Sequence, residues 1–124
     1  MYSLGIDVGS SSVKVALLDI ETGKCVSSST NPKTEAPIKA LQKGWAEQDP
    51  QSWWKYMCDG IKEMAAEYDM AKVASIGISY QMHGLVAVDK DVKPVRDAII
   101  WCDSRAVPYG AGALDGIVYD KCMA

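Results

Sequence analysis

Apolar and polar residues alternate through 2–8: Leu4, Ile6 and Val8 share one side, and Ser3, Gly5 and Asp7 the other. That period of two predicts a half-buried strand. The pattern resumes over 13–19, Val-Lys-Val-Ala-Leu-Leu-Asp, after a loop of one glycine and three serines, Gly9-Ser10-Ser11-Ser12. Asp19-Ile20-Glu21-Thr22-Gly23 is rich in turn formers and should return the chain into a third strand over about 24–30. The opening of the chain therefore predicts an antiparallel three-strand meander with a small, polar first turn.

Pro32, Pro37 and Gly44 predict an irregular stretch over 31–48. Asp49 can cap a helix because its carboxylate accepts from first-turn amides, and Pro50 suits the first helical position, where no donor is needed. The helix should run to about Tyr68, with a stripe of Trp53, Met57, Ile61, Met64 and Tyr68. Val73–Ser79 predicts a strand and Gly84–Asp89 another, with Lys90-Asp91 as the turn after it. Ala98-Ile99-Ile100-Trp101 is a last apolar run. From Ala106 the spacing is helical but includes Gly110, Gly112 and Gly116. Each glycine costs about 1 kcal/mol of helix propensity, so that helix should be marginal. There is no internal repeat or linker. The order strand-strand-strand-helix-strand-strand gives an α/β class with an antiparallel start, unlike the alternating order of a doubly wound parallel sheet. No Gly-x-Gly-x-x-Gly or Walker A sequence is present.

Composition narrows the function classes. The chain has 124 residues, enough for one domain, with 48% hydrophobic and 23% charged residues, the balance of a soluble globular protein. No apolar run approaches the roughly 20 residues of a membrane span, and the N-terminus lacks the regions of a signal peptide. A cytoplasmic protein without membrane contact is expected. A net charge of −3 and a pI near 5.0 argue against general nucleic-acid binding. Cys25, Cys58, Cys102 and Cys122 form no Cys-x-x-Cys pair and read as reduced, packed residues.

Three segments could carry chemistry. In Asp7-Val8-Gly9-Ser10-Ser11-Ser12-Val13-Lys14, Gly9 permits close backbone approach to a ligand. Three hydroxyls and the loop amides can donate to phosphate oxygens, and Lys14 adds a cation. Asp7 suits Mg²⁺, which takes one or two carboxylates together with substrate phosphates and water. The same residues also suit an ordinary tight hairpin whose aspartate accepts from turn amides. In Ser79-Tyr80-Gln81-Met82-His83-Gly84, Gln81 and His83 both donate and accept, as a polyhydroxylated ligand requires, although a lone histidine also serves structural roles. In Trp101-Cys102-Asp103-Ser104-Arg105, Asp103 and Arg105 could form a local ion pair or a solvated loop.

Taken in this order, Asp7-Val8-Gly9-Ser10, Trp45-Ala46-Glu47-Gln48-Asp49-Pro50 with Trp53-Trp54, Gln81-Met82-His83-Gly84 and Trp101-Cys102-Asp103-Ser104-Arg105 resemble the N-terminal part of the FGGY carbohydrate kinases, most closely their xylulokinase branch. The resemblance covers about 2–106; Tyr80 stands where a small residue is expected. It implies the N-terminal part of an actin-like ATPase (ribonuclease H-like) domain and ATP-dependent phosphorylation of D-xylulose. It implies phosphate contacts from Gly9, Ser10, Ser11, Ser12 and Lys14, magnesium at Asp7, and sugar contacts from Gln81, Met82, His83, Asp103 and Arg105. The general-base aspartate, the adenosine pocket and the second domain would lie beyond residue 124, so residues 1–124 alone should be inactive. One sheet face would lack its covering helices, and exposed apolar surface there favours self-association, as a homodimer. Alternative readings are another FGGY ketose or polyol kinase, or a catalytically silent assembly module that keeps the fold.

Overall fold

Strands β1 (Tyr2–Val8), β2 (Val13–Asp19) and β3 (Lys24–Asn31) form the antiparallel meander that the alternation predicts, in a computed structural model that describes residues 1–116. A two-residue strand, β4 (Glu47–Gln48), precedes helix α1 (Pro50–Ala65). Helix α1 leads across the sheet to β5 (Val73–Tyr80), which lies parallel to β1. The sheet order is β3-β2-β1-β5. A second short strand, β6 (Ala98–Ile99), pairs antiparallel with β4, and helix α2 (Val107–Gly116) follows. The three-glycine helix forms within the described residues; Cys122 lies outside them.

Helix α1 starts where its cap predicts. Asp49 Oδ1 accepts from the Gln51 amide at 2.9 Å, and Pro50 takes the first helical position. Its apolar stripe packs on one sheet face, burying Leu4, Ile6, Val13, Val15, Leu17 and Met64 with Trp53, Met57 and Ile61 against them. The helix stops at Ala65, short of the expected Tyr68, because Asp69 caps a separate 3₁₀ turn over Met70–Lys72 through the Ala71 amide. Tyr68 still joins the core: its hydroxyl donates to the Val26 carbonyl at 2.8 Å, and its ring meets Tyr2 edge-on.

One expectation is corrected. Gly84–Asp89 is not a strand. Its residues meet different partners, Leu85 opposite Ile99 and Val88 opposite Pro94, so no continuous ladder develops, and Pro94 has no amide to donate. The turn expected at Lys90-Asp91 does form, gathered by Asp89 Oδ1, which accepts from the Asp91 and Lys93 amides. Helix α1 covers only one face of the sheet. The other face carries Ser3, Gly5, Asp7, Lys14, Ala16, Ser75, Gly77 and Ser79, which are small or polar, together with exposed Leu18. On the α1 side, Ile76, Ile78 and Tyr80 of β5 stand level with Leu4, Ile6 and Val8 but are exposed.

Candidate functional site

The parallel pairing of β1 and β5 builds the site. Because the two strands run the same way, their C-terminal ends emerge side by side, with Val8 level with Tyr80 and the Gln81 amide donating to the Val8 carbonyl at 2.9 Å. Open α/β sheets commonly bind ligands at this end. One strand delivers the serine loop there and the other delivers Gln81-Met82-His83.

The serine loop is a closed turn. The Gly9 amide donates to the Ser12 carbonyl at 3.0 Å, and a Cβ on Gly9 would stand 3.0 Å from that oxygen, so a side chain there would push on the backbone. The Ala36 amide donates to the Ser11 carbonyl at 2.7 Å. Asp7 and Lys14 face each other across β1 and β2 on the side away from α1. They line a shallow groove of about 410 Å³ with Gly5, Ala16, Gly77 and Ser79. Ser11 and Ser12 open onto a different groove, beside Thr30 and Lys33.

On the other strand, the side-chain amide of Gln81 is buried, and neither its oxygen nor its nitrogen has a partner among the described residues. Buried amides are ordinarily paired, so this one carries unused donor and acceptor capacity at the cavity wall. His83 is exposed and holds φ at 60°, a left-handed conformation uncommon outside glycine that histidine adopts more readily than most residues. Gln81, Met82 and His83 share a cavity of about 300 Å³ with Trp101. Behind them, Val8, Trp53, Tyr80 and Val86 enclose a mainly apolar cavity of about 370 Å³ that Gln81 and His83 also touch.

Asp103 and Arg105 do not join these cavities among the lining residues. Asp103 accepts from the Ala46 amide at 2.6 Å and from the Arg105 backbone and side chain. The Arg105 guanidinium also pairs with buried Glu47 at 2.7 Å and lies 3.7 Å over the Trp45 ring. Arg96 reaches the same Glu47 carboxylate. The Arg105 side chain, opposed by burial and aided by the Ala46 amide, holds the Asp103 carboxyl well below the usual carboxylate range. This ion cluster fastens the loop at 44–48 to the segment after β6, and so carries Trp101 to the cavity edge.

Sequence reasoning missed Trp101, Gln48 and Trp53. Trp101 Nε1 donates to Ser10 Oγ at 3.3 Å, joining the two halves of the site. The Trp-x-Asp-x-Arg spacing contains that signal, but only its charged members show their chemistry without the fold. Gln48 and Trp53 lay in a recognisable motif whose contacts depend on tertiary packing.

Comparison with known proteins gives a consistent picture. Residues 2–111 match the FGGY family of carbohydrate kinases over its N-terminal domain. A xylulose kinase of Klebsiella pneumoniae is 40% identical over 105 residues, covering 85% of this chain and 21% of that protein. The solved ligand-bound xylulose kinase of Lactobacillus acidophilus superposes with a TM-score of 0.81 at 31% identity, covering 92% of this chain and 22% of that one. The glycerol kinase of Plasmodium falciparum, solved with ADP, gives 0.80 at 27% identity, covering 97% and 24%. The chain thus spans about a fifth of the length of the curated relatives it matches.

Proposed function

The chain belongs to the FGGY family of carbohydrate kinases, and on that premise we propose that it is the incomplete N-terminal portion of the sugar-binding domain of a kinase that phosphorylates D-xylulose at its terminal hydroxyl with ATP. The observation that carries this reading is the parallel β1/β5 pair, which ends in a hydroxyl-rich loop on one strand and Gln81-Met82-His83 on the other. Phosphoryl transfer depends mainly on positioning and charge neutralisation, so adjacency of a phosphate cradle and a hydroxyl-binding segment is what the reaction needs.

In this reading Gly9 lets phosphate approach the backbone, Ser10, Ser11 and Ser12 donate to it, and Lys14 offsets its charge. Asp7 is a single exposed carboxylate, and no cluster of three metal-ligating side chains occurs among the described residues. That donor set fits Mg²⁺ shared with nucleotide phosphates rather than an ion caged by protein. When bound, Mg²⁺ would neutralise charge on the phosphates. Gln81 offers a donor and an acceptor to the sugar, His83 a further polar contact, and Met82 and Trp101 the walls. Asp103 and Arg105 act as positioning residues for Trp101. The choice of D-xylulose over another polyol or ketose is supported by the 40% identity to a xylulose kinase. A cytoplasmic setting and a homodimer formed over exposed Ile76, Ile78 and Tyr80 belong to the same proposal.

A chimera tests it. Residues 1–105 replace the matching segment of the Klebsiella pneumoniae xylulose kinase, and ADP release is measured with D-xylulose, glycerol and gluconate. D-xylulose should be the preferred acceptor, and Asp7→Asn should lower the rate by on the order of a hundredfold. A folded chimera that prefers glycerol or gluconate would overturn the substrate assignment. A normal rate for Asp7→Asn at saturating ATP and magnesium would reduce Asp7 to a turn residue.

A further inference from the structure

The motif Glu47-Gln48-Asp49-Pro50 contains a side chain that the proposed reaction leaves unused. Gln48 is 2% exposed and sits in β4 opposite Ala98. Its Nε2 donates to the Ser10 carbonyl at 2.6 Å and to the Pro37 carbonyl at 3.3 Å. Its Oε1 accepts from Trp53 Nε1 at 3.1 Å. One buried amide therefore grips the serine loop, the chain before β4 and the first turn of α1.

We propose that Gln48 is the positioning residue that turns the amides of the serine loop outward, toward a bound polyphosphate. The argument is peptide geometry. In a trans peptide the carbonyl and the following N–H point in opposite directions. Gln48 draws the Ser10 carbonyl inward, which sends the Ser11 N–H outward. The Ala36 amide draws the Ser11 carbonyl in the same manner, which sends the Ser12 N–H outward. Neither N–H donates to a protein acceptor among the described residues. Successive outward amides of this kind form an anion-binding concavity.

Only an amide satisfies the three partners together. Two of them are carbonyls that need a donor, and the third is an indole N–H that needs an acceptor. A carboxylate at this position would set a charge against two carbonyl oxygens in a buried site. The contact to Trp53 extends the link, since Trp53 lines the cavity touched by Gln81 and His83. Gln48 thereby ties the orientation of the phosphate cradle to the wall behind the sugar segment.

The inference rests on reading the serine loop as the phosphate cradle, and the experiment separates the two ideas. Amide resonances of Ser11 and Ser12 and the indole resonance of Trp53 are followed by NMR in the 124-residue chain, with and without magnesium tripolyphosphate. In the wild type, tripolyphosphate should shift the Ser11 and Ser12 amides. Gln48→Glu should move all three resonances before any ligand is added and weaken tripolyphosphate roughly tenfold at neutral pH. Burial raises the pKa of the introduced carboxyl, so lowering the pH protonates it and restores a donor. Affinity relative to wild type at the same pH should then recover, which a generally damaged fold would not do. Should Gln48→Glu fail to fold, Trp53→Phe removes only the indole donor and should shift the Ser11 amide through Gln48. If the Ser11 and Ser12 resonances stay at their wild-type positions in the folded variant, the positioning role is wrong. If they move, but tripolyphosphate never perturbs them in the wild type, Gln48 orients the loop and the phosphate reading of that loop fails instead.

Discussion

Trp101 Nε1 donates to Ser10 Oγ at 3.3 Å, although the two residues stand 91 positions apart in the chain. The bond joins the loop after β1 to the wall of the cavity formed by Gln81, Met82 and His83. Trp101→Phe keeps an aromatic wall and removes this donor. In the chimeric kinase we expect roughly a fivefold loss of kcat, the scale of one hydrogen bond of about 1 kcal/mol, with little change in the KM for D-xylulose. Trp101→Ala should raise that KM as well. Steady-state kinetics on both variants checks this; identical kinetics for Trp101→Phe and wild type would show that the bond couples nothing.

Helix α1 lies close to the sheet at Gly60, where a Cβ would stand 2.9 Å from Val15 Cγ2. Val15 is fully buried and cannot swing away. Gly60→Ala gains about 1 kcal/mol of helix propensity but overpacks the core at a cost of about 1–3 kcal/mol. The expected outcome is net destabilisation, read as a lower urea midpoint with an unchanged m-value. A higher midpoint would mean that the helix shifts without strain.

Acid should destabilise the fold through two carboxylates. Lys33 foremost, and Ser29 next, lower the Glu63 pKa to about 2, and Asp103 is held low by Arg105. A carboxyl whose folded pKa is depressed contributes stability that is complete above its unfolded value. That contribution is lost as pH falls toward the folded value. Urea midpoints should therefore be level near neutrality and drop from about pH 4.5 toward pH 2. Glu63→Gln should flatten part of the slope. A wild-type midpoint that rises on acidification would contradict the assignment.

The fold was largely legible because its determinants are local. The alternation in β1 and β2, the Asp49-Pro50 start and the Trp53-to-Met64 stripe each need only neighbouring residues to be read. Gly84–Asp89 was misread because apolar, β-branched residues suit a strand only when a partner lies alongside, and its partner changes from Ile99 to Pro94. β4 was missed because two residues carry no period. At the candidate site, Gln81, Met82 and His83 were found together, since they are contiguous. Asp103 and Arg105, which the resemblance implies as sugar contacts, are legible in the sequence as a local ion pair. Their partners, Glu47, Ala46 and Trp45, come from a distant loop that spacing alone could not bring to them.

The central claim is that the segment after β5 holds the sugar while the loop after β1 holds phosphate, and His83 tests it most directly. Because His83 sits at φ 60°, His83→Gly removes the imidazole without imposing the strain that alanine would meet there. The measurement is the pair of KM values of the His83→Gly chimera, taken beside its melting curve. Losing one hydrogen bond to a sugar hydroxyl should cost about 1–3 kcal/mol, a rise of roughly five- to a hundredfold in the KM for D-xylulose. The KM for ATP and the melting temperature should stay near those of the parent chimera. An unmoved D-xylulose KM, or an ATP KM that rises in its place, would contradict the account.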